Sequence, residues 1–241
     1  MDEIDKIDGD ITVLTEVQHR NLGLIKDRLA ASGLIHIATT CVEGGKNSVL
    51  VAAREPFEVV HRQLAYDQER FLAGYFPRLD LHLLAAHIPS SRCQLALPNG
   101  LDLRGTKRKG FAWKETLSYA ALHMFENTII VGDFNTGSND LDRTGGTRFT
   151  HSKCRERLGD LGYDDGYRML YPDGRDSTWC STTEGGIDYH GFRLDQIHAS
   201  MSVRDAIRDV QHVQHVRGTR ESGKLSDHAI MFADLDWGGI W

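Results

Sequence analysis

Short apolar runs alternate with polar and glycine-containing turns along the chain, and most of these runs read as strands. Ile11-Thr12-Val13-Leu14-Thr15 alternates, and Ser48–Ala53 (SVLVAA), His82–Ile88 (HLLAAHI) and Thr128–Val131 (TIIV) are compact apolar stretches. Arg193–Ala199 and Ala229–Leu235 complete the set. Two segments carry a helical period instead. In Thr116–Phe125, Leu117, Ala120, Ala121, Met124 and Phe125 share one face, and Asn21–Leu34 turns Leu22, Ile25 and Leu29 inward before a stop at Gly33. Strands outnumber helices, and many spacings are too short for parallel crossovers. The pattern predicts an α/β (α+β) arrangement of mixed sheets with covering helices. No repeat, Pro-rich linker or Gly/Ser tether divides the chain, so a single domain over 1–241 is expected.

Composition narrows the class. Of 241 residues, 40% are hydrophobic and 26% charged, which excludes disordered, collagen-like and low-complexity chains. No apolar run approaches the ~18 residues of a membrane span. The acidic opening, MDEIDKIDGD, resembles neither a secretory signal nor an Arg-rich transit peptide, so a cytoplasmic protein is expected. A net charge of −6 argues against a generally basic nucleic-acid binder, although a local basic patch can still hold phosphate. Cys41, Cys93, Cys154 and Cys180 are scattered without a C-x-x-C pair, as expected of reduced thiols.

Candidate chemistry gathers where strands end. Glu16 closes ITVLTE, His87 closes HLLAAH, and Asp133 and Asn135 follow TIIV in VGDFN. Asp195 lies in FRLD, and Asp227-His228 precedes the last strand. Taken singly, each acid is an ordinary turn or cap residue and each histidine an ordinary hydrogen-bonding group. Their co-occurrence at strand ends is what points to a site on a rigid scaffold. Between His87 and Asp133, the basic residues Arg104, Lys107, Arg108 and Lys109 lie close to Phe111, Trp113 and Lys114. Such a segment suits gripping a nucleic-acid backbone or stacking on a base, and equally suits a solvated loop with one buried aromatic. His212 and His215, in QHVQHV, lack a nearby third ligand and make a poor metal pair.

In order, DITVLTEV, LLAAHIP, VGDFN, FRLDQIHAS and LSDHAIM resemble the motifs of the endonuclease/exonuclease/phosphatase superfamily, which includes exonuclease III and deoxyribonuclease I. The resemblance spans residues 10 to 236. It implies a four-layer sandwich of two mixed β-sheets flanked by helices, and a Mg²⁺- or Mn²⁺-dependent hydrolysis of phosphodiesters. By this likeness Glu16 is the main metal ligand, with Asp227 a second ligand or an outer neighbour. Asp133 orients or deprotonates the attacking water, and Asn135 donates to the phosphoryl group. His228 contacts the scissile phosphate with Asp195 fixing its tautomer; whether Asp133 or His228 is the base stays open. Arg104, Lys107, Arg108, Lys109 and Trp113 become substrate-binding candidates. His87 stands where abasic-site endonucleases of the family usually have Tyr and where deoxyribonuclease I-like enzymes have His, able to donate to phosphate or protonate a leaving group. Asp165, in GYDDGYR, falls at a position where the family often has Asp, and reads as a local cap.

The resemblance also leaves a gap. Family members begin with a strand ending in an Asn ahead of the Glu segment, and no Asn precedes Glu16 here. The expectation is an absent first strand, supplied about 25–30 residues upstream, with an open sheet edge in its place. The functional reading is a nuclease acting on DNA, expected as a monomer. The alternatives are a phosphatase or phosphodiesterase for a lipid or small phosphate ester, and a non-catalytic binding remnant.

Overall fold

The computed structural model describes residues 2–45, 47–60, 67–93, 103–182, 188–217 and 226–238. In chain order it runs through α1 (Asp2–Ile7), β1 (Ile11–Val17), α2 (Leu22–Ala31), β2 (His36–Thr39), β3 (Ser48–Ala53), β4 (Glu58–Val59), β5 (Phe71–Phe76) and β6 (Leu81–His87). There follow α3 (Gly105–Leu122), β7 (Thr128–Asp133), α4 (Ser152–Asp160), β8 (Tyr163–Asp165), α5 (Gly166–Leu170), β9 (Trp179–Thr182), β10 (Asp188–Phe192), β11 (Asp195–Ser200), β12 (Ile207–Val213) and β13 (Ile230–Leu235).

A six-stranded mixed sheet, ordered β4-β5-β6-β7-β11-β8, forms the middle of the molecule. Its period-two alternation feeds two cores. Leu83, Ala85, Ile129 and Ile197 face a core shared with Val49 and Val51 of β3 and Ile207 and Val210 around β12. Leu84, Ala86 and Ile130 face the opposite way, onto Trp113 and Tyr119 of α3 and Leu158 of α4. The three-stranded sheet β1-β3-β2 covers the first core, and its outer face packs Leu50 and Ala52 against Leu29 of α2. Helices, sheet, sheet and helix therefore stack in four layers, as the family resemblance implies, with the mixed sheets and covering helices that the apolar pattern predicts. β3 is buried at every position, and apolar from Val49 to Ala53, because both of its faces are covered.

One helix expectation changes and one holds. The segment read as helical from Thr116 begins earlier, at Gly105, and ends at Leu122, which leaves Phe125 90% exposed. The stripe that α3 buries is Arg108, Lys109, Ala112, Trp113, Thr116, Tyr119 and Ala120, at i, i+1, i+4, i+5, i+8, i+11 and i+12. Helix α2 stops at the expected place: Gly33 has φ +84°, and Leu34 N–H returns to the Leu29 carbonyl at 3.0 Å.

Among the described residues, β1 pairs only with β3 and β13 only with β12. Each therefore has one edge without a ladder partner. Their apolar residues, including Ile11, Val13, Met231 and Ala233, pack on the central core while only partly buried.

Candidate active site

Sheet register assembles the centre of the site. β6 and β7 run parallel with His87 opposite Asp133, and β7 and β11 run antiparallel with Asp133 opposite Asp195. Three chemically active residues from three segments thus lie in one row on one face of adjacent strands. Gly132 permits the row. Its φ is +138°, and a Cβ there would stand 2.0 Å from the Ala86 carbonyl oxygen, so no other residue fits before Asp133.

Asp133 is buried, and Asn135 secures it. Asn135 adopts the left-handed region at φ +46°, so its backbone N–H reaches Asp133 Oδ1 at 2.8 Å and its Nδ2 reaches Oδ2 at 2.7 Å. Nδ2 also donates to the Ile88 carbonyl at 3.0 Å. The Asn135 amide is therefore engaged in holding Asp133 and the end of β6, not turned outward for a phosphate.

At the edge of the row, Glu16 has φ +56° where the β1–β3 register shifts between Leu14 and Val17. This irregularity turns the side chain out, 63% exposed, with Oε1 3.4 Å from His87 Nε2. The same Nε2 lies 3.7 Å from Asp133 Oδ2, so His87 links the two carboxylates. His87 is 2% exposed and Arg70 Nη1 lies 3.0 Å from both ring nitrogens. Burial, then the Arg70 charge, holds His87 well below its ordinary pKa despite a hydrogen bond to the Asn47 backbone. A buried, neutral His87 can accept or donate a hydrogen bond, but it holds no proton of positive charge to give a leaving group near neutral pH.

At the other end of the row, His228 Nδ1 pairs with Asp195 Oδ2 at 2.8 Å. The Ser226 hydroxyl accepts the His228 backbone N–H at 3.0 Å and shapes the turn that presents the ring. Burial opposes protonation of His228, but the Asp195 hydrogen bond and the charges of Asp195, Asp133 and Asp227 prevail and raise its pKa to about 10. Asp227 accepts from Trp179 Nε1 at 3.2 Å, and none of its described contacts joins it to Glu16.

The basic segment divides. Arg104 and Lys107 are exposed near the start of α3. Arg108 is buried and reaches Asp67 through Nε and Nη2, each at 2.7 Å. Lys109 is buried with Nζ on the Asn135 carbonyl, and burial lowers its pKa to about 8. Trp113 is fully buried, its ring against Phe134 and its Nε1–H on Thr136 Oγ1 at 3.3 Å. Arg108, Lys109 and Trp113 thus belong to the interior, and a buried indole has no face for a base. His212 and His215 also separate: His212 pairs with Asp176 at 3.1 Å and exposed His215 with Glu3 at 2.7 Å.

Sequence reading missed the supports. Arg70, which holds His87, is 3.2 Å from Asp67, and the same carboxylate receives Arg108. A lone Asp and a lone Arg ahead of an apolar run carry no signal of this kind. Behind Asp195, fully buried Arg193 bonds Asp142 at 2.8 Å through Nε and Asp165 at 2.5 Å through Nη2. Asp165 also accepts from the Arg168 backbone N–H at 3.3 Å, so the cap at α5 exists and shares its carboxylate with the arginine cluster.

The charge balance suits a hard cation. Burial, followed by the neighbouring Asp195 charge, raises Asp133 to about pKa 7. An acid so disfavoured as an anion is one that a bound positive charge would ionise. Glu16 offers exposed carboxylate oxygen beside the His87 ring, the donor type that Mg²⁺ and Mn²⁺ prefer. The carboxylates present fit such an ion.

A second buried histidine gives a pH test of the scaffold. His198 sits edge-on to Phe134 with Nε2 donating to Gln196 Oε1 at 3.0 Å, and burial lowers its pKa from 6.5 to about 4. Between pH 6.5 and 4 the unfolded chain binds a proton there that the folded chain does not, so stability falls with pH by up to about 3 kcal/mol. Asp133, raised rather than lowered, titrates with the opposite sign over much of that window. The contribution is therefore read from a difference. Relative to wild type, His198→Gln is expected to gain about 3 kcal/mol in urea unfolding between pH 7 and pH 4. A difference independent of pH contradicts a neutral, buried His198.

No family model and no curated protein matches the chain. Among solved structures it is similar to a 3′ phosphatase from Neisseria bound to a product DNA hairpin, at 21% identity, covering 95% of this chain and 89% of that one with TM-score 0.76. A 3′-5′ exonuclease from Neisseria meningitidis is similar at 21% identity, 95% and 90% coverage and TM-score 0.75. An AP endonuclease from Archaeoglobus fulgidus reaches TM-score 0.79 at 18% identity, covering 98% and 92%. The four-layer packing and these likenesses together show that the chain shares its fold with these solved structures.

Proposed function

We propose that the chain is a divalent-metal-dependent phosphodiester hydrolase that acts on DNA. The observation that carries this reading is the in-register row His87–Asp133–Asp195, extended by Glu16 at one end and by His228 at the other. Acids and a histidine held this way can divide the tasks of phosphodiester hydrolysis. A bound Mg²⁺ or Mn²⁺ would neutralise phosphate charge and polarise the phosphoryl group, with Glu16 as its principal ligand and Asp227 an outer candidate.

Asp133 receives the proton of the attacking water, because it is the buried carboxylate fixed in orientation by Asn135. His228 faces the phosphate as a hydrogen-bond donor, and Asp195 fixes its ring through Nδ1, leaving Nε2 for the substrate. Neutral His87 ties Glu16 to Asp133 and keeps the acids in register. Exposed Arg104 and Lys107 are the remaining candidates for the nucleic-acid backbone. The DNA reading is supported by the names of the similar structures, a 3′ phosphatase on a DNA hairpin, a 3′-5′ exonuclease and an AP endonuclease.

The test is a Mg²⁺ assay against plasmid, abasic duplex, 3′-phosphate duplex, single-stranded RNA and a simple phosphodiester. Turnover of a DNA substrate is expected, abolished by EDTA and by Glu16→Gln, with an unchanged far-UV spectrum in both cases. Full activity in EDTA, or hydrolysis of the simple ester without any DNA substrate, overturns the reading.

A further inference from the structure

At the opposite end of β6 from His87 lies a second cluster. His82 is the second residue of the strand and His87 closes it, five residues or roughly 17 Å away. His123 and Glu126 lie in the turn between α3 and β7, beside His82, whose strand partner is Thr128. His82 Nε2 is 2.9 Å and His123 Nδ1 2.6 Å from the same oxygen, Glu126 Oε2. One ligand atom from each of the three residues falls within 4.8 Å of the others.

The cluster is held from behind. The His82 backbone N–H donates to the Asn127 carbonyl at 2.7 Å, which ties β6 to the turn. Thr128 Oγ1 donates to the carbonyls of His123 and Glu126, each at 3.2 Å, and Ser200 Oγ reaches the Glu126 carbonyl at 2.9 Å. The rings are walled by aromatics, Tyr75 against His82 at 4.6 Å and Tyr119 against His123 at 4.4 Å between centroids. The side chains of His82 and His123 are 20% and 11% exposed, and that of Glu126 is 49% exposed, so approach from solvent is over the carboxylate. Two converging imidazoles and one carboxylate on a rigid frame form a preorganised ligand set.

We propose that His82, His123 and Glu126 form a binding site for a zinc-class divalent cation, separate from the hydrolytic site. Two nitrogens and one oxygen suit a borderline ion and leave a fourth position for water, whereas Mg²⁺ favours oxygen donors. Bonds of about 2.0–2.1 Å in a tetrahedron place ligand atoms roughly 3.3 Å apart, between the 2.6 Å closest approach and the 4.8 Å that bounds the set, so side-chain adjustment brings the three atoms to one ion. The ion would clip the start of β6 to the α3–β7 turn, and its binding adds to the stability of the folded chain.

The experiment titrates the metal-stripped full chain with Zn²⁺, with Mg²⁺ in excess to occupy the hydrolytic site. Isothermal calorimetry is expected to show one high-affinity equivalent. Affinity should fall at least ~10-fold in His123→Ala and in Glu126→Gln, and further in a variant that also carries His82→Ala. Saturating Zn²⁺ should raise the wild-type Tm by about 5–10 °C and leave the triple variant unmoved. His123→Ala and Glu126→Gln lie in a surface turn, so they report even if His82→Ala fails to fold. Zn²⁺ affinity unchanged in both, or no Zn²⁺ bound by wild type at 100-fold excess, overturns the proposal. Neither readout uses hydrolytic activity, so the result stands apart from the proposed function.

Discussion

Asp133→Asn is expected to lower kcat on the preferred DNA substrate by ~10²–10⁴-fold while the protein folds as well as wild type or better. The two halves of this expectation have one cause. Asp133 is buried beside Asp195, and its raised pKa states that the ionised form is disfavoured in the folded chain. A neutral amide of the same shape removes that cost and still offers Oδ1 to the Asn135 backbone N–H, a gain set against the lost bond from Asn135 Nδ2, which the new NH₂ group cannot accept. It cannot take a proton from water. A rise or no change in Tm alongside lost turnover is the trade-off of a strained, functional acid. Wild-type rates in Asp133→Asn would remove Asp133 from the mechanism.

Arg193→Ala is expected to destabilise the fold by about 3–5 kcal/mol, a large part of the ~5–15 kcal/mol available to a domain. The guanidinium is fully buried and meets carboxylates that are 0% and 4% exposed, Asp142 and Asp165. Removing it leaves Asp142 with Arg168 and Asp165 with Arg155, each short of the charge and donors that now satisfy it. Arg193→Lys keeps the charge but loses the fork, and should fall between. Urea unfolding checks both, and an Arg193→Ala loss below ~1 kcal/mol would contradict the account. Because Asp195 follows two residues later at the start of β11, activity should decline in Arg193→Ala at temperatures where the protein is still folded.

The strands that carry the row were legible because their apolar runs stop abruptly at a polar residue, as HLLAAH stops at His87 and TIIVG at Asp133. β5 was not: FLAGYF is apolar at nearly every position, with no alternation to separate it from a helix or a loop. The front half of α3 was hidden for a different reason. Its buried stripe contains Arg108 and Lys109, which pattern reading assigns to solvent, whereas Asp67 and the Asn135 carbonyl satisfy them inside. The acids and histidines of the site could be nominated from strand ends and family likeness. Their supports could not, since Arg70 and Asp142 acquire meaning only from residues far away in the chain.

The one-sided pairing of β1 and β13 divides the site in time as well as in space. Amides on a ladder with a single neighbour open by local fraying, whereas those of β6 and β7 are released only when the central sheet comes apart. His87, Asp133 and Asp195 belong to the slowly exchanging interior. Glu16 is carried by β1, and Asp227 and His228 by the turn that leads into β13, so these candidate groups sit on or beside strands with a single ladder neighbour among the described residues. A carboxylate fixed in the central sheet thus faces groups carried on less fully paired backbone.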